Sequence, residues 1–573
     1  MIMRKFYLLI ILFCLGGVSP VLSQFYQGSN LTFGKNRVQY RDFEWSYFSG
    51  KYTDVYFYQG GEKLALETAQ KADAIMSEMI AYFGFQPSER IYIMSYLSQS
   101  DMRQSNIGTT LDENNGIMGT SQIIQNKLFV FFEGDHLAYQ AQLRRGLAEI
   151  SISQVLLGNS WKDAVKALAF SNYPDWFVQG MAYWLGGERQ EVLDLFMLQE
   201  LRRKKIQINF WKSESARLGG AAFWSFIADR YGTNVIPSIL QMSRFARGID
   251  LGFELIIGKS MDALVQEFYQ YYRTRAQRLT LPPDYSKDKK VQKQMGELSL
   301  KSKKKFKYRD YALSPDGKYW AFVTHEWGQF KVWVYDVEKD QLKCILRKQP
   351  KSDRLNDYTY PHVAWHPGGE MLAVFYEKRG FLRYAQWNVK ERSWSEKQVF
   401  AVDKMLSPRF SQDGKQIVFI GVSAGKSDVF IMPTTGNTPK ALTKTEEDDY
   451  SPLYLPNKKV IYLSRETTEK GTQYVLNQIE PSSLSSKPER IYESVYPLTF
   501  AFEWGKEEMG CVEKREEGQL FYQIRWDSVI ASIDTTIHYR KEPKVRQLAQ
   551  INYLSNAREW RNQDNSWVME HGF

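Results

Sequence analysis

Residues 313–324 read "LSPDGKYWAFVT", and the recurrence of this stretch decides the fold of the second half of the chain. A Pro-Asp-Gly turn is followed by residues suited to a buried strand. The same design returns as "WHPGGEMLAVFY" from 365, "FSQDGKQIVFIG" from 410 and "YLPNKKVIYLSR" from 454. A weaker copy, "FEWGKEEMGCVE", starts at 502, so the period is 44 to 52 residues. Further strands follow, as in "FKVWVYDVEKDQLKCIL" and "SDVFIMPTTGNTPKALT". One turn-led unit of this length suits one four-stranded blade of a β-propeller, whereas a sandwich has no reason to repeat its turn chemistry.

The SPDGK-type turns resemble those of TolB-like propellers, relatives of WD-type repeat proteins found in bacterial envelopes. The resemblance covers about 300–573 and implies an architecture, not an activity. Near the end, "SNAREWRNQDNSWVMEHGF" looks like the opening of a sixth blade, with Asp564-Asn565 as its turn. An unfinished blade leaves strand edges open. Either "KKFKYRDYA" supplies a closing strand or the sequence is cut short, and truncation is the expectation.

Residues 24–280 read differently. Three short strands are expected, "TDVYFYQ" (53–59), "ERIYIMSY" (89–96) and "KLFVFFEG" (127–134), with an amphipathic helix "EKLALETAQKADAIMSEMIAYFG" between the first two. After Glu133 the apolar spacing is helical almost throughout, in "AYQAQLRRGLAEISISQVLLG", "PDWFVQGMAYWLGG", "EVLDLFMLQELRRKK", "GGAAFWSFIADRYG" and "MDALVQEFYQYYRTRAQ". The "P-x-W-F-x-x-G-x-A" helix at 174–182, after strands and a long helix, resembles that of the peptidase-MA-like gluzincins, the thermolysin-related zinc peptidases. The fold class is therefore multidomain: an α+β thermolysin/gluzincin-like domain followed by an all-β TolB-like propeller.

In working members of that family, H-E-x-x-H on the long helix presents two imidazoles and a general-base glutamate, and the downstream helix adds a glutamate ligand. The resemblance places Arg145 and Glu149 at the two histidine positions, Gly146 at the general base and Gln179 at the third ligand. A neutral amide is a poor zinc ligand and an arginine repels the ion. The chain has six histidines, and only His136 lies in this domain. Glu133, Asp135 and His136 are a conceivable metal set, but acidic residues before a helix more commonly cap it. Pro174 and Asp175 are expected to start a helix, Trp176 and Phe177 to fill the core, and Gly180 to admit a close helix. The expected protein is a pseudo-peptidase with no catalytic residue, metal or cofactor.

"MIMRK" followed by "FYLLIILFCLGGV" reads as a signal peptide (1–23), because the apolar run is too short to span a bilayer. Net charge is +10, and nine lysines fall between Lys287 and Lys307, a stretch read as a solvated linker (281–307) rather than a nucleic-acid patch. The propeller is assigned to 308–573. Cys344 and Cys511 sit in different repeat units, so no structural disulfide is expected. "GVSAG" (421–425) matches the nucleophile elbow of α/β-hydrolases, but Ser423 lies between two strands of one blade, where a hairpin is expected instead. His362 and His366 are read as blade packing on one face of a strand. Trp327, Trp333 and Trp387 are candidate exposed aromatics for carbohydrate.

These readings lead to an exported, periplasmic, non-catalytic scaffold, peripherally associated with the outer membrane at most. It would bind a protein or peptide partner in the envelope through the propeller's rim and funnel, with no nucleic acid and no integral membrane span. The rival expectations are a metallopeptidase or other hydrolase with an atypical site, and a fragment of a longer propeller protein.

Overall fold

The computed structural model describes residues 39–551 except 88, 105–121, 125, 158–172, 189, 202–207, 209–210, 212–213, 279–306, 327–328, 349–356, 358, 456, 469–470, 482–486, 496, 505–507, 516–517 and 526–545. The expected signal peptide, nearly all of the lysine-rich linker, Trp327 and the start of a sixth blade lie outside the described residues.

The three strands expected in the first part form, joined by two that the sequence reading missed. They are β1 (Ser46–Ser49), β2 (Thr53–Phe57), β3 (Ile91–Tyr96), β4 (Gln122–Ile124) and β5 (Lys127–Phe131), in the order β1-β2-β3-β5-β4. The central pairs β2–β3 and β3–β5 are parallel, and both edge strands run antiparallel. Helix α1 (Glu62–Phe83) makes the crossover between β2 and β3. It buries Leu64, Ala65, Thr68, Ala69, Ala72, Ile75, Met76, Met79 and Phe83, a stripe at helical spacing. Gly84 ends it at φ 64°, donating its N–H to Ile80 O. A single turn, α2 (Gln99–Arg103), follows β3, with Ser98 capping Asp101 N–H.

The helical half comprises α3 (His136–Leu157), α4 (Asp175–Leu185), α5 (Gln190–Leu201), α6 (Glu214–Tyr231), α7 (Val235–Ala246), α8 (Ile249–Ile257) and α9 (Met261–Arg278). α4 crosses α6 at close range. A Cβ on Gly180 would lie 2.4 Å from Gly220 Cα, and one on Gly220 would lie 2.1 Å from Trp176 O. Only paired glycines let these backbones approach so closely. Around that contact Trp176 packs edge-on to Phe223 at 5.1 Å, and Trp224 donates its indole N–H to Phe177 O at 3.0 Å. Trp176, Phe177 and Gly180 therefore do the packing work expected of them.

From Lys307 the described residues form five four-stranded antiparallel meanders, each with strands in sequence order. The first sheet holds β6 (Lys307–Leu313), β7 (Tyr319–Glu326), β8 (Gln329–Asp336) and β9 (Gln341–Lys348). The second holds β10 (His362–Trp365), β11 (Met371–Lys378), β12 (Phe381–Asn388) and β13 (Trp394–Gln398). The third holds β14 (Lys404–Phe410), β15 (Gln416–Ser423), β16 (Lys426–Pro433) and β17 (Lys440–Ala441). The fourth holds β18 (Asp448–Tyr454), β19 (Val460–Thr468), β20 (Gly471–Ile479) and β21 (Glu489–Ser494). The fifth holds β22 (Leu498–Trp504), β23 (Glu508–Arg515), β24 (Gly518–Arg525) and β25 (Arg546–Ile551). β6 is the first strand of its own sheet, paired with β7, so the "KYRDYA" part of "KKFKYRDYA" belongs to the first sheet, and the rest of that stretch lies outside the described residues.

Each apolar core lies between neighbouring sheets. Val323 and Val332 meet Leu372 and Val374; Phe375 and Tyr384 meet Ile417 and Phe419; Val418 and Val429 meet Val460 and Tyr462. Leu372, Val374 and Tyr376 thus face the first sheet while Ala373 and Phe375 face the third, so the β11 run is apolar on both faces. First strands of adjacent sheets touch, β6 with β10, β10 with β14 and β14 with β18. Face-to-face sheets with inner first strands are the arrangement of propeller blades.

The repeated turn owes its recurrence to one hydrogen-bond pattern. Ser314 Oγ donates to Asp316 Oδ1 at 2.6 Å and accepts Tyr319 N–H at 2.9 Å, while Lys318 N–H reaches Asp316 at 3.1 Å. Ser411, Asp413, Lys415 and Gln416 repeat these contacts in the third sheet. Gly317 and Gly414 take φ of 71° and 69°, which the Asp-Gly sequence permits.

Candidate functional site

α3 and α4, the helices on which the resemblance places the family's ligand positions, pack together. Arg145 stacks its guanidinium 4.7 Å from the centre of the Tyr183 ring and donates Nε–H to Ala141 O at 3.0 Å. Gly186 makes room for it, since a Cβ there would meet Arg145 Cγ at 2.2 Å. Arg217, from α6, lies 5.7 Å from the same ring and donates Nε–H to Gln179 Oε1 at 3.3 Å. Gly146 is buried and Glu149 half-buried, with Ser153 Oγ donating to the Glu149 carbonyl at 2.6 Å. The positions where the resemblance would put zinc ligands thus hold a guanidinium, a carboxylate and a neutral amide, with the Arg217 guanidinium bound to that amide, a set that does not fit the ion. Among the described residues no group of three or more His, Cys, Asp or Glu side chains is arranged to hold a metal.

The loop Glu133–His136 turns out to belong to a different site. Asp135 does cap α3, accepting Ala138 N–H at 2.8 Å. It also takes Arg465 Nη2 at 2.6 Å, and His136 Nδ1 lies 2.5 Å from Asp448 Oδ1, with both partners on the fourth sheet. Glu133 pairs with Lys404, which also donates to Asp357 Oδ2 at 2.8 Å; Lys404 is 3% exposed. Burial pulls the Lys404 ammonium well below its usual value, as does the nearby Arg103 guanidinium. Nearby, Arg41 reaches Asp403 at 3.0 Å, Asp101 at 3.4 Å and the Gly380 carbonyl at 3.2 Å. Tyr58 donates its hydroxyl to Asp101 at 2.6 Å, and burial raises the Asp101 carboxyl despite Arg41.

All these propeller residues sit at one end of the sheets. Asp403, Lys404 and Asp448 open first strands, and Gly380, Ala424 and Gly425 form hairpins between second and third strands. Gly425 abuts Leu64, and Gly134 lies against Val422 and Leu406. Val422 joins the same apolar cluster as the first domain's core. The first domain therefore packs against this end of the second, third and fourth sheets. The domains' relative orientation, which the sequence left open, follows from this seam.

Ser423 pairs with Lys426 across a two-residue hairpin, with Ala424 and Gly425 at φ of 51° and 74°. This is the geometry of a primed β-turn and not of a nucleophile elbow. His362 and His366 do not share a strand face. β10 ends at Trp365, so alternation does not extend to His366. His362 faces Asp310 of the first sheet at 3.2 Å, and His366 accepts Gly368 N–H at 3.1 Å beside Phe410 of the third. Trp387 is buried against Trp394 and Trp333 is half-buried, donating to Thr324 at 2.8 Å, so neither is an exposed sugar platform.

Sequence reasoning also missed a repeated bulge. Ser407 and Ser451, each before a proline, take φ of 50° and 52° where β14 and β18 shift register. The shared Ser-Pro after each first-strand start was the available signal.

No protein-family model matches the chain, and no curated protein matches it. Among solved structures it is similar to TolB from Acinetobacter baumannii, at 13% identity over 39% of this chain and 53% of that one, with a TM-score of 0.32. A putative TolB from Agrobacterium tumefaciens gives 16% identity, 32% and 64% coverage and 0.26. The β-propeller domain of the Trilobed protease from Pyrococcus furiosus gives 12%, 38%, 68% and 0.30. The chain thus spans about half to two thirds of the two TolB structures. The likeness is to propellers, and the propeller reading here rests on the sheets themselves. Among the described residues no helix is long and apolar enough to cross a membrane.

Proposed function

We propose that the chain is a non-catalytic, exported binding and scaffold protein of the cell envelope. In this reading a gluzincin-like domain that has lost its metal site is docked on a TolB-like propeller, and the pair engages a protein or peptide partner. The observation that carries it is the Arg145–Tyr183–Arg217 stack with Gln179: two guanidinium groups stand in place of a divalent ion, and the general-base position holds Gly146. The mixed sheet followed by helices supports the peptidase-like ancestry, and the glycine-paired crossing of α4 on α6 explains why "PDWFVQGMA" stays readable after the ligands have gone.

The test is metal analysis of the purified protein together with a peptide-hydrolysis assay. Substoichiometric metal and no hydrolysis are expected. Stoichiometric zinc that disappears in Glu149→Ala or Gln179→Ala, with cleavage lost alongside, refutes the reading.

A further inference from the structure

The seam between the domains has the composition of a latch rather than of a shared core. Its apolar part is narrow, Leu64 and Gly134 against Gly425, Val422 and Leu406. Around it runs a series of ion pairs between the two domains, Arg41 with Asp403, Lys63 with Glu446, Glu133 with Lys404 and Asp135 with Arg465, together with the hydrogen-bond contacts of His136 to Asp448. The propeller partners come from two consecutive sheets and the loop that joins them, and each side carries both signs, which sets one docking register and penalises others. Several are largely withdrawn from water, so a pair broken on one side leaves a charge stranded on the other.

We propose that the first domain is a charge-latched plug, occupying in cis the propeller end built from first-strand starts and second-to-third-strand hairpins. That end becomes available to another ligand only when the plug swings away. The second half of the proposal follows from occupancy: Gly380, Asp403, Lys404, Ala424 and Asp448 cannot meet an outside partner while Arg41, Glu133, Gly60 and His136 lie on them. It does not depend on whether the first domain ever held zinc.

The experiment uses the full chain and changes only the first domain, leaving the propeller's sequence intact. Arg41→Glu with Asp135→Lys places like charges against Asp403 and Arg465. Hydrogen exchange is followed at the 378–381 and 423–426 hairpins and, as an internal control, at the buried centre of β15. Exchange at both hairpins is expected to quicken at least tenfold in the double variant while the β15 centre is unchanged, and small-angle scattering should show a larger radius. A salt series on the unaltered protein is the second measurement, because ion pairs weaken with ionic strength and apolar contacts do not; hairpin exchange should rise with salt. Unchanged hairpin exchange in both experiments overturns the latch. Simultaneous loss of protection at hairpins and β15 also overturns it, since the domains would then be one cooperative unit.

Discussion

Asp449 should make the propeller less stable as pH rises, and Asp449→Asn should remove that dependence. The side chain is 1% exposed and accepts Ser464 Oγ at 2.6 Å and Thr443 Oγ1 at 2.7 Å. Burial, reinforced by Asp428 and Glu447, pushes its carboxyl up to about 8 against those two hydrogen bonds. Thr443 has one proton, and Asp428 Oδ1 is within 3.2 Å of the same hydroxyl, which also accepts Val429 N–H. A protonated Asp449 can donate to Thr443, which then donates to Asp428, so every group is satisfied. In Asp449→Asn the side-chain amide N–H makes the same chain and mimics the neutral acid.

The sign follows from proton counting. Between the ordinary value of 3.8 and about 8 the native state keeps this proton and the unfolded chain has lost it. Stability therefore falls by about 1.4 kcal/mol per pH unit over that range, and is flat above it. From about pH 5 to 8 the stability of Asp449→Asn relative to wild type should climb by roughly 4 kcal/mol. Urea unfolding of both proteins across pH 5 to 9 measures the difference, in which other titrating groups largely cancel. Two parallel stability curves over that interval would refute the reasoning.

Gly220→Ala should lower stability by about 3 kcal/mol or more, because the new methyl would sit 2.1 Å from Trp176 O and force α4 from α6; thermal melts read it. Arg275→Met strands Asp194, 3% exposed and bound at 2.8 Å, and should cost about 3–5 kcal/mol in the same assay. Asp448 is pushed up by burial but held below its usual value by His136 and Arg465. Its contribution is present above the unfolded value and lost as pH falls through the native one. Acid below about pH 4 should therefore loosen the seam, with hairpin exchange at 423–426 as readout, and Asp448→Asn should abolish that acid step.

The sequence by itself determined what depends on neighbours a few residues apart. Ser314 and Asp316 close their turn within five residues, and β11 alternates its two buried faces every second residue, so turn chemistry and periodicity reveal a blade before any contact is known. The missing imidazoles were equally plain, because a ligand's chemistry is written in its side chain. Only tertiary structure decided where Arg145 would rest, that Gly180 would find Gly220, and that Glu133, Asp135 and His136 would face the propeller. His136 meets Asp448 across 312 positions and Arg41 meets Asp403 across 362. No periodicity encodes such a pair. It forms because two separately built surfaces bury charge against each other, and that free energy exists only once both are folded.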